Sequence, residues 1–236
     1  MKLVVKQKLR RIKATDLVYE ILKRQILKWE LLPGERVEEK QIAHRLRVSR
    51  YLVRNAVLRL CQEGLLERGP QGRCFVAQLD LDKDDDLRFM RASIESALLR
   101  ESVEEGRFFP AHIKMLEDCI RQQRDGVAHQ DFHKFCEYDE KFHLLLIDIN
   151  GRKYPKKNIQ YAMQYLARIR YLAIEEDEHP QEIVQEHERM MDAIIRGDGL
   201  AAEEAMRDHI YKGYHNFLVG KGFKKLEPYI EQCEHY

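Results

Sequence analysis

RVEEKQIAHRLRVSRYLVRNAVLRLCQEGLLERGPQGRCFV, residues 36–76, is the stretch that decides the fold of the first third of the chain. Residues 38–46 repeat apolar side chains at helical spacing, which puts Ile42, Ala43 and Leu46 on one face. Ser49 stands where a cap is wanted for a second helix, with Leu52, Val53, Ala56, Val57 and Leu60 inward and Gly64 at its end. Two short apolar runs, 65–68 and 73–76, then flank Gly69-Pro70-Gln71-Gly72 and read as a hairpin. Two short helices at a tight turn followed by a hairpin is the pattern of a winged helix-turn-helix. Its second helix opens with Ser49-Arg50 and carries Arg54 one turn later, a recognition helix suited to the major groove of DNA.

Working outward, residues 16–29 carry Leu17, Val18, Ile21, Leu22, Ile26 and Leu27 at helical spacing, and Leu32-Pro33-Gly34 breaks that helix. On the other side, residues 80–86 read DLDKDDD, an acidic stretch expected to be a linker at 79–86 between a DNA-binding domain at 1–78 and a body at 87–236. The body has helical periodicity and no β-branched alternation. Helices are expected near 85–105, 110–128, 131–149, 157–176, 180–196 and 200–219, with Pro110 and Pro180 in first turns and Gly106, Gly151, Gly197 and Gly220 at ends. The fold class is therefore mainly α: a winged helix-turn-helix with a small β-hairpin wing, then an all-α antiparallel helical bundle.

Composition sets the bounds. The 236 residues are 44% hydrophobic, enough for real cores, and mean hydropathy is −0.57. No run approaches the roughly 18 apolar residues of a membrane helix, so no membrane partner is expected. The basic N-terminus has no apolar signal core, and five scattered cysteines contain no CxxC pair; a reduced cytoplasmic protein is the expectation. Residues 1–78 hold 18 Lys and Arg against 8 Asp and Glu, while the remainder hold 23 against 32. A basic head on an acidic body suits a head that neutralises phosphates and a body that does not touch them.

In the body, apolar stripes are broken by polar side chains at inward positions. Phe135, Asp139, Phe142 and Leu146 share one face, with His143 one turn after Asp139. His187 falls within Ile183, His187, Met190 and Ile194, and His209 lies beside Ala202 and Met206. A buried carboxylate needs a partner, and a divalent metal bound by Asp139, His143, His187 and His209 supplies one. Three His and one Asp suit zinc, while nickel, iron and manganese accept the same donors. Arg91 and Arg170 break two further stripes, and each can pair with a structural carboxylate or bind a ligand's carboxylate. Two other readings stand beside this one: a hydrolytic metal centre, and a hydrogen-bonded polar core with no ligand.

The motifs Leu32-Pro33-Gly34-Glu35-Arg36-Val37, Ile42-Ala43-His44-Arg45-Leu46, Val48-Ser49-Arg50, residues 53–60 (VRNAVLRL) and Glu63-Gly64-Leu65-Leu66 resemble the GntR family winged helix-turn-helix. Residues 80–220 resemble its FadR-type helical FCD domain, through Asp139-x-x-x-His143, His187 and His209. The resemblance implies a homodimeric, ligand-responsive transcription regulator, a repressor by expectation. Its body would take a divalent metal and a small carboxylate metabolite, and two recognition helices would meet a palindromic double-stranded operator. It implies DNA contacts at Lys40, Ser49, Arg50, Arg54 and Gly72, with Tyr51 in the same set, and effector contacts at Arg91 and Arg170. Members carry Thr-Pro where this chain has Tyr51-Leu52 and Glu at Asn55, so operator sequence does not carry over. They also carry Gly at Arg47 and Gly-Asn at Gly151-Arg152, and with the YPKKN segment that follows the local ligand pocket is expected to differ.

Overall fold

The structure, a computed structural model, describes residues 2–176, 180–217 and 223–230. The expected helix end at Gly220, with residues 218–219, lies outside them. The chain divides into two compact units, Met1–Asp80 with Tyr229–Tyr236, and Leu81–Pro228.

The first unit holds α1 (Lys2–Leu27), β1 (Arg36–Val37), α2 (Glu39–Leu46), α3 (Arg50–Gln62), β2 (Leu66–Arg68), a single 3-10 turn and β3 (Cys74–Val76). Val18, Leu22 and Ile26 of α1 pack with Ile42, Ala43, Val53, Ala56, Val57, Leu60 and Val76 in one apolar core. Leu17, one of the apolar residues at helical spacing, is exposed; the buried position beside Val18 belongs to Tyr19. Its hydroxyl donates to Glu63 at 2.8 Å, joining α1 to the end of α3. The wing is a three-stranded antiparallel sheet in the order β1-β3-β2, not a simple hairpin. The extra strand pairs Arg36 with Phe75 and Val37 with Cys74. It follows a turn closed by Glu35 N–H to Leu32 O at 2.9 Å, with Pro33 and then Gly34 at φ +80°. A side chain at 34 would be strained in φ and would meet Gln78 at 2.9 Å, which is why glycine stands there.

The expected linker is not one. Residues 81–86 are the opening turns of α4 (Leu81–Glu104), where Asp82 and Asp84 face the positive end of the helix dipole and Asp84 is buried against Arg88 at 3.0 Å. The boundary thus falls at Asp80–Leu81. Tyr229 and Ile230, assigned by the sequence to the body, return to the first unit, with Leu79 N–H donating to Tyr229 O at 2.9 Å.

The second unit adds α5 (Pro110–Ala128), α6 (Phe132–Asn150), α7 (Lys153–Glu176), α8 (Pro180–Arg196), α9 (Gly199–Phe217) and the short α10 (Phe223–Leu226). It is the expected all-helical bundle. Its core gathers Ala92, Leu99, Leu116, Ile120, Phe135, Phe142, Leu146, Val184, Met190, Met206 and Ile210 from five helices. Among the described residues no helix is long and apolar enough to cross a membrane.

Candidate metal centre and DNA-binding surface

Periodicity places Asp139 and His143 on the buried face of α6, His187 on that of α8 and His209 at the edge of that of α9. The bundle brings the four together, with one potential ligand atom of each within 4.8 Å of the others. His143 Nε2 lies 3.0 Å from His209 Nε2 and 4.0 Å from Asp139 Oδ1; His187 Nε2 lies 3.7 Å from the same oxygen. His143 and His187 are fully enclosed, and the His187 ring stacks on Phe142 at 4.3 Å.

The opposite ring nitrogens decide what these atoms can do. His143 Nδ1 is 2.7 Å from Glu95 Oε2, His209 Nδ1 is 2.9 Å from Glu186 Oε2, and His187 Nδ1 is 2.7 Å from Gln123 Oε1. The Gln123 amide is oriented by its own donation to Tyr138 O at 3.1 Å, so its oxygen is the atom facing His187. All three partners accept, so each Nδ1 carries the proton and each Nε2 presents a lone pair. Three lone pairs and a carboxylate oxygen then converge, and His187 Nε2 has no hydrogen-bond partner among the described residues. A donor set of this kind fits a divalent cation, with the outer hydrogen bonds that fix metal-binding imidazoles already in place.

Charges agree with neutral imidazoles. Burial pushes His143 down despite the neighbouring Glu95, and pushes His187 well below its ordinary value. Burial alone would raise the Asp139 carboxyl, but the Arg170 guanidinium beside it opposes burial, and the group is held well below the usual range. Glu95 is held at about 2 in the same way, its burial outweighed by Arg91 and His143.

Arg91 and Arg170 both reach this centre through carboxylates. Arg91 Nε donates to Glu95 Oε1 at 2.7 Å, and Arg170 Nη1 to Asp139 Oδ2 at 2.8 Å. Glu95, Gln123 and Glu186 were not singled out in the sequence. A signal was present for two of them: Glu95 follows Arg91 by one helical turn, and Glu186 adjoins His187. Two surface grooves, of about 530 Å³ between α5 and α8 and about 300 Å³ between α8 and α9, are lined by none of these residues.

In the first unit, Lys40, Ser49, Arg50, Tyr51, Arg54 and Gly72 are all exposed. Ser49 occupies the N-cap of α3 in extended geometry, but its side chain makes no capping hydrogen bond. The side chains of Lys40, Arg50, Tyr51 and Arg54 make no hydrogen bond or ion pair to another described residue. Arg59, in contrast, is held over the Tyr19 ring at 3.6 Å and against Glu63 at 3.3 Å.

Residues 14–76 match the bacterial regulatory proteins of the gntR family, and residues 86–212 match the FCD domain. The chain belongs to the GntR family, with an FCD body. This GntR-family chain is 28% identical over 193 residues to the HTH-type transcriptional repressor RspR of Escherichia coli K12, covering 82% of this chain and 84% of that protein. It is 32% identical over 194 residues to an HTH-type transcriptional regulator in an unstable DNA locus of Streptomyces ambofaciens, covering 82% and 80%. Its fold is shared with a GntR transcriptional regulator from Rhodococcus sp. RHA1, TM-score 0.71 at 20% identity over 87% of this chain and 98% of that one. Escherichia coli McbR/YncC has the same fold, TM-score 0.69 at 20% identity over 86% and 98%. The protein is a DNA-binding transcriptional regulator. Its family and relatives are regulators and not enzymes, which overturns the hydrolase reading.

Proposed function

We propose that this regulator is a cytoplasmic homodimer whose body senses a small carboxylate with the help of a bound divalent cation, and whose heads hold a palindromic operator until that ligand arrives. The observation that carries the reading is the convergence of one potential ligand atom from each of Asp139, His143, His187 and His209 within 4.8 Å. Asp139, His143, His187 and His209 would hold the cation, which would supply an electrophile for the effector's carboxylate oxygen. Zinc suits this donor set, and nickel, iron or manganese would be accepted by the same atoms.

Charge balance points to an anionic effector. The buried carboxylates around the centre already face cations: Glu95 faces Arg91, Asp139 faces Arg170, and Glu186 has Lys212 at 3.4 Å. A dication added there is left uncompensated, and burying a charge without a partner is costly. A carboxylate ligand restores balance, with Arg91 and Arg170 as its nearest guanidinium groups. The repressor reading is supported by RspR, whose name describes it as a repressor. For DNA, Lys40, Arg50 and Arg54 offer exposed donors to phosphates and base edges. Ser49 and Tyr51 sit at the start of the recognition helix, and Gly72 lies at the wing tip, where the backbone can approach a phosphate.

The test is operator binding by purified protein, first stripped with a chelator and then loaded with zinc, nickel or manganese, against a panel of small carboxylates. The expected result is metal at one ion per chain and a carboxylate that weakens operator binding only in the loaded protein. Unchanged operator affinity across every metal and carboxylate tested would remove the sensing function.

A further inference from the structure

We infer that Glu95 is the residue through which an anion held by Arg91 tightens the grip of the histidine cluster on its cation. The inference rests on the carboxylate-sensing reading above and adds a route of communication within it.

Glu95 divides its two oxygens between the two functions. Oε1 accepts from Arg91 Nε at 2.7 Å, and Oε2 accepts from His143 Nδ1 at 2.7 Å. All three side chains are buried, at 3%, 5% and 1% exposure for Glu95, Arg91 and His143. Arg91 is only partly used by this contact: its Nη2 is buried with no hydrogen-bond partner among the described residues. Both hydrogens of that nitrogen are donors, so it is a ready place for a carboxylate or similar small anion.

An anion at Nη2 shares the guanidinium charge that Glu95 otherwise has to itself. The Glu95 carboxylate, less neutralised, then pulls harder on the Nδ1 proton of His143. That raises the electron-donating strength of the same ring's Nε2, the atom turned to the cluster. Thermodynamic linkage requires the converse: a cation on Nε2 loosens Glu95 from Arg91 and improves the anion site by the same factor. The other outer partners are less suited to this role. Gln123 is uncharged, and the cations near Glu186, Lys212 and Arg189, are 49% and 60% exposed, where water screens them. Of the three outer partners of the histidines, Glu95 is the one that joins a histidine of the cluster to a buried cation with an unmet donor.

The experiment measures nickel or zinc affinity of the full chain by competition with a chromogenic chelator, with and without acetate as the anion probe. Calorimetry monitors acetate binding separately. In the wild type, saturating acetate is expected to tighten metal binding about fivefold or more. Glu95→Gln is expected to bind metal about 10–100-fold more weakly and to lose the acetate effect to within about twofold. Arg91→Gln, which leaves Glu95 on His143 without its guanidinium, is expected to bind metal more tightly than the acetate-free wild type and also to lose the acetate effect. Full acetate tightening in Glu95→Gln would overturn the proposal, because acetate would then act by touching the cation itself. If circular dichroism shows Glu95→Gln to be unfolded, retained acetate tightening in Arg91→Gln overturns it instead. Acetate that binds the wild type without changing metal affinity removes the role of Glu95 and leaves carboxylate sensing intact. No binding of acetate or of any carboxylate removes both.

Discussion

His143 and His209 hold their Nε2 atoms 3.0 Å apart while each turns its Nδ1 to a carboxylate, Glu95 and Glu186 respectively. Two lone pairs at that distance repel unless a proton or a cation lies between them. Imidazole nitrogens bind zinc at about 2.0–2.1 Å, a reach compatible with a pair of donors this close. Metal binding should therefore stabilise the body. At a free metal concentration about a thousandfold above Kd the gain is about 4.1 kcal/mol, on the order of 10 °C in Tm for a domain of this size. His187→Ala removes one donor and leaves the His143–His209 pair in place. Thermal unfolding with and without chelator should show a large shift in the wild type and a much smaller one in the variant. Equal shifts in both would exclude His187 from the site.

The protein without metal should be acid-sensitive through the same histidines. Burial holds the folded-state pKa of His143 and His187 below the unfolded value, about 6.5. Below that pH the unfolded chain binds protons that the folded chain refuses, so stability is complete above about pH 7 and falls as pH drops from 6.5. Glu95 and Asp139, both held low, have the same sign and withdraw their contribution as pH falls below about 4.5, Glu95 doing so towards about 2. In chelator-treated protein, Tm should be level between pH 7 and 8 and decline between 6.5 and 5. A level profile through the lower window would mean that these imidazoles are not buried neutral.

Arg54 and Arg59 lie in the same helix and separate binding from folding. Arg54 is exposed with no bond to a described residue, whereas Arg59 covers Tyr19 and pairs with Glu63 and Asp16. Arg54→Ala should weaken operator binding by about 1–3 kcal/mol if the side chain reads a base edge. Tm and metal content should stay at wild-type values. Arg59→Ala should lower Tm. Electrophoretic mobility shifts beside thermal melts distinguish the two, and an Arg54→Ala protein with normal operator affinity would move the reading residues elsewhere on α3.

Much of this arrangement was legible because helices write their packing into a 3.6-residue period. The spans of α5 and α8 follow directly from Pro110 and Pro180 at their first positions. Asp139, His143, His187 and His209 were readable as polar residues on inward stripes. What periodicity could not express was contact between helices. Glu95, Gln123 and Glu186 become meaningful only when α4, α5 and α8 are packed against the histidines. The two-residue strand β1 is too short to carry an alternation. The aspartates at 82–86 looked like a linker because their charge hides their role: Asp84 is buried against Arg88, and Asp82 shares the first helical turn with it, where negative charge favours a helix start.

Arg47 shows the opposite case, where a residue type at odds with its family marks local strain. The position closes α2 in left-handed geometry, φ +52° and ψ +42°, with its N–H shared between Ala43 O and His44 O. Helices commonly end this way on glycine, and glycine is what the GntR resemblance implies at this position. A side chain in that conformation costs about 1–2 kcal/mol, partly offset because glycine loses about 0.4–1 kcal/mol more chain entropy on folding. Arg47→Gly should thus stabilise the first unit by about 0.5–1 kcal/mol, seen as slower amide exchange across α2 and α3. Arg47→Ala separates the causes, since it removes the charge but keeps the Cβ. Backbone strain requires the alanine variant to stay near wild type while glycine gains; equal gains in both would instead assign the effect to charge repulsion among Arg45, Arg47 and Arg50.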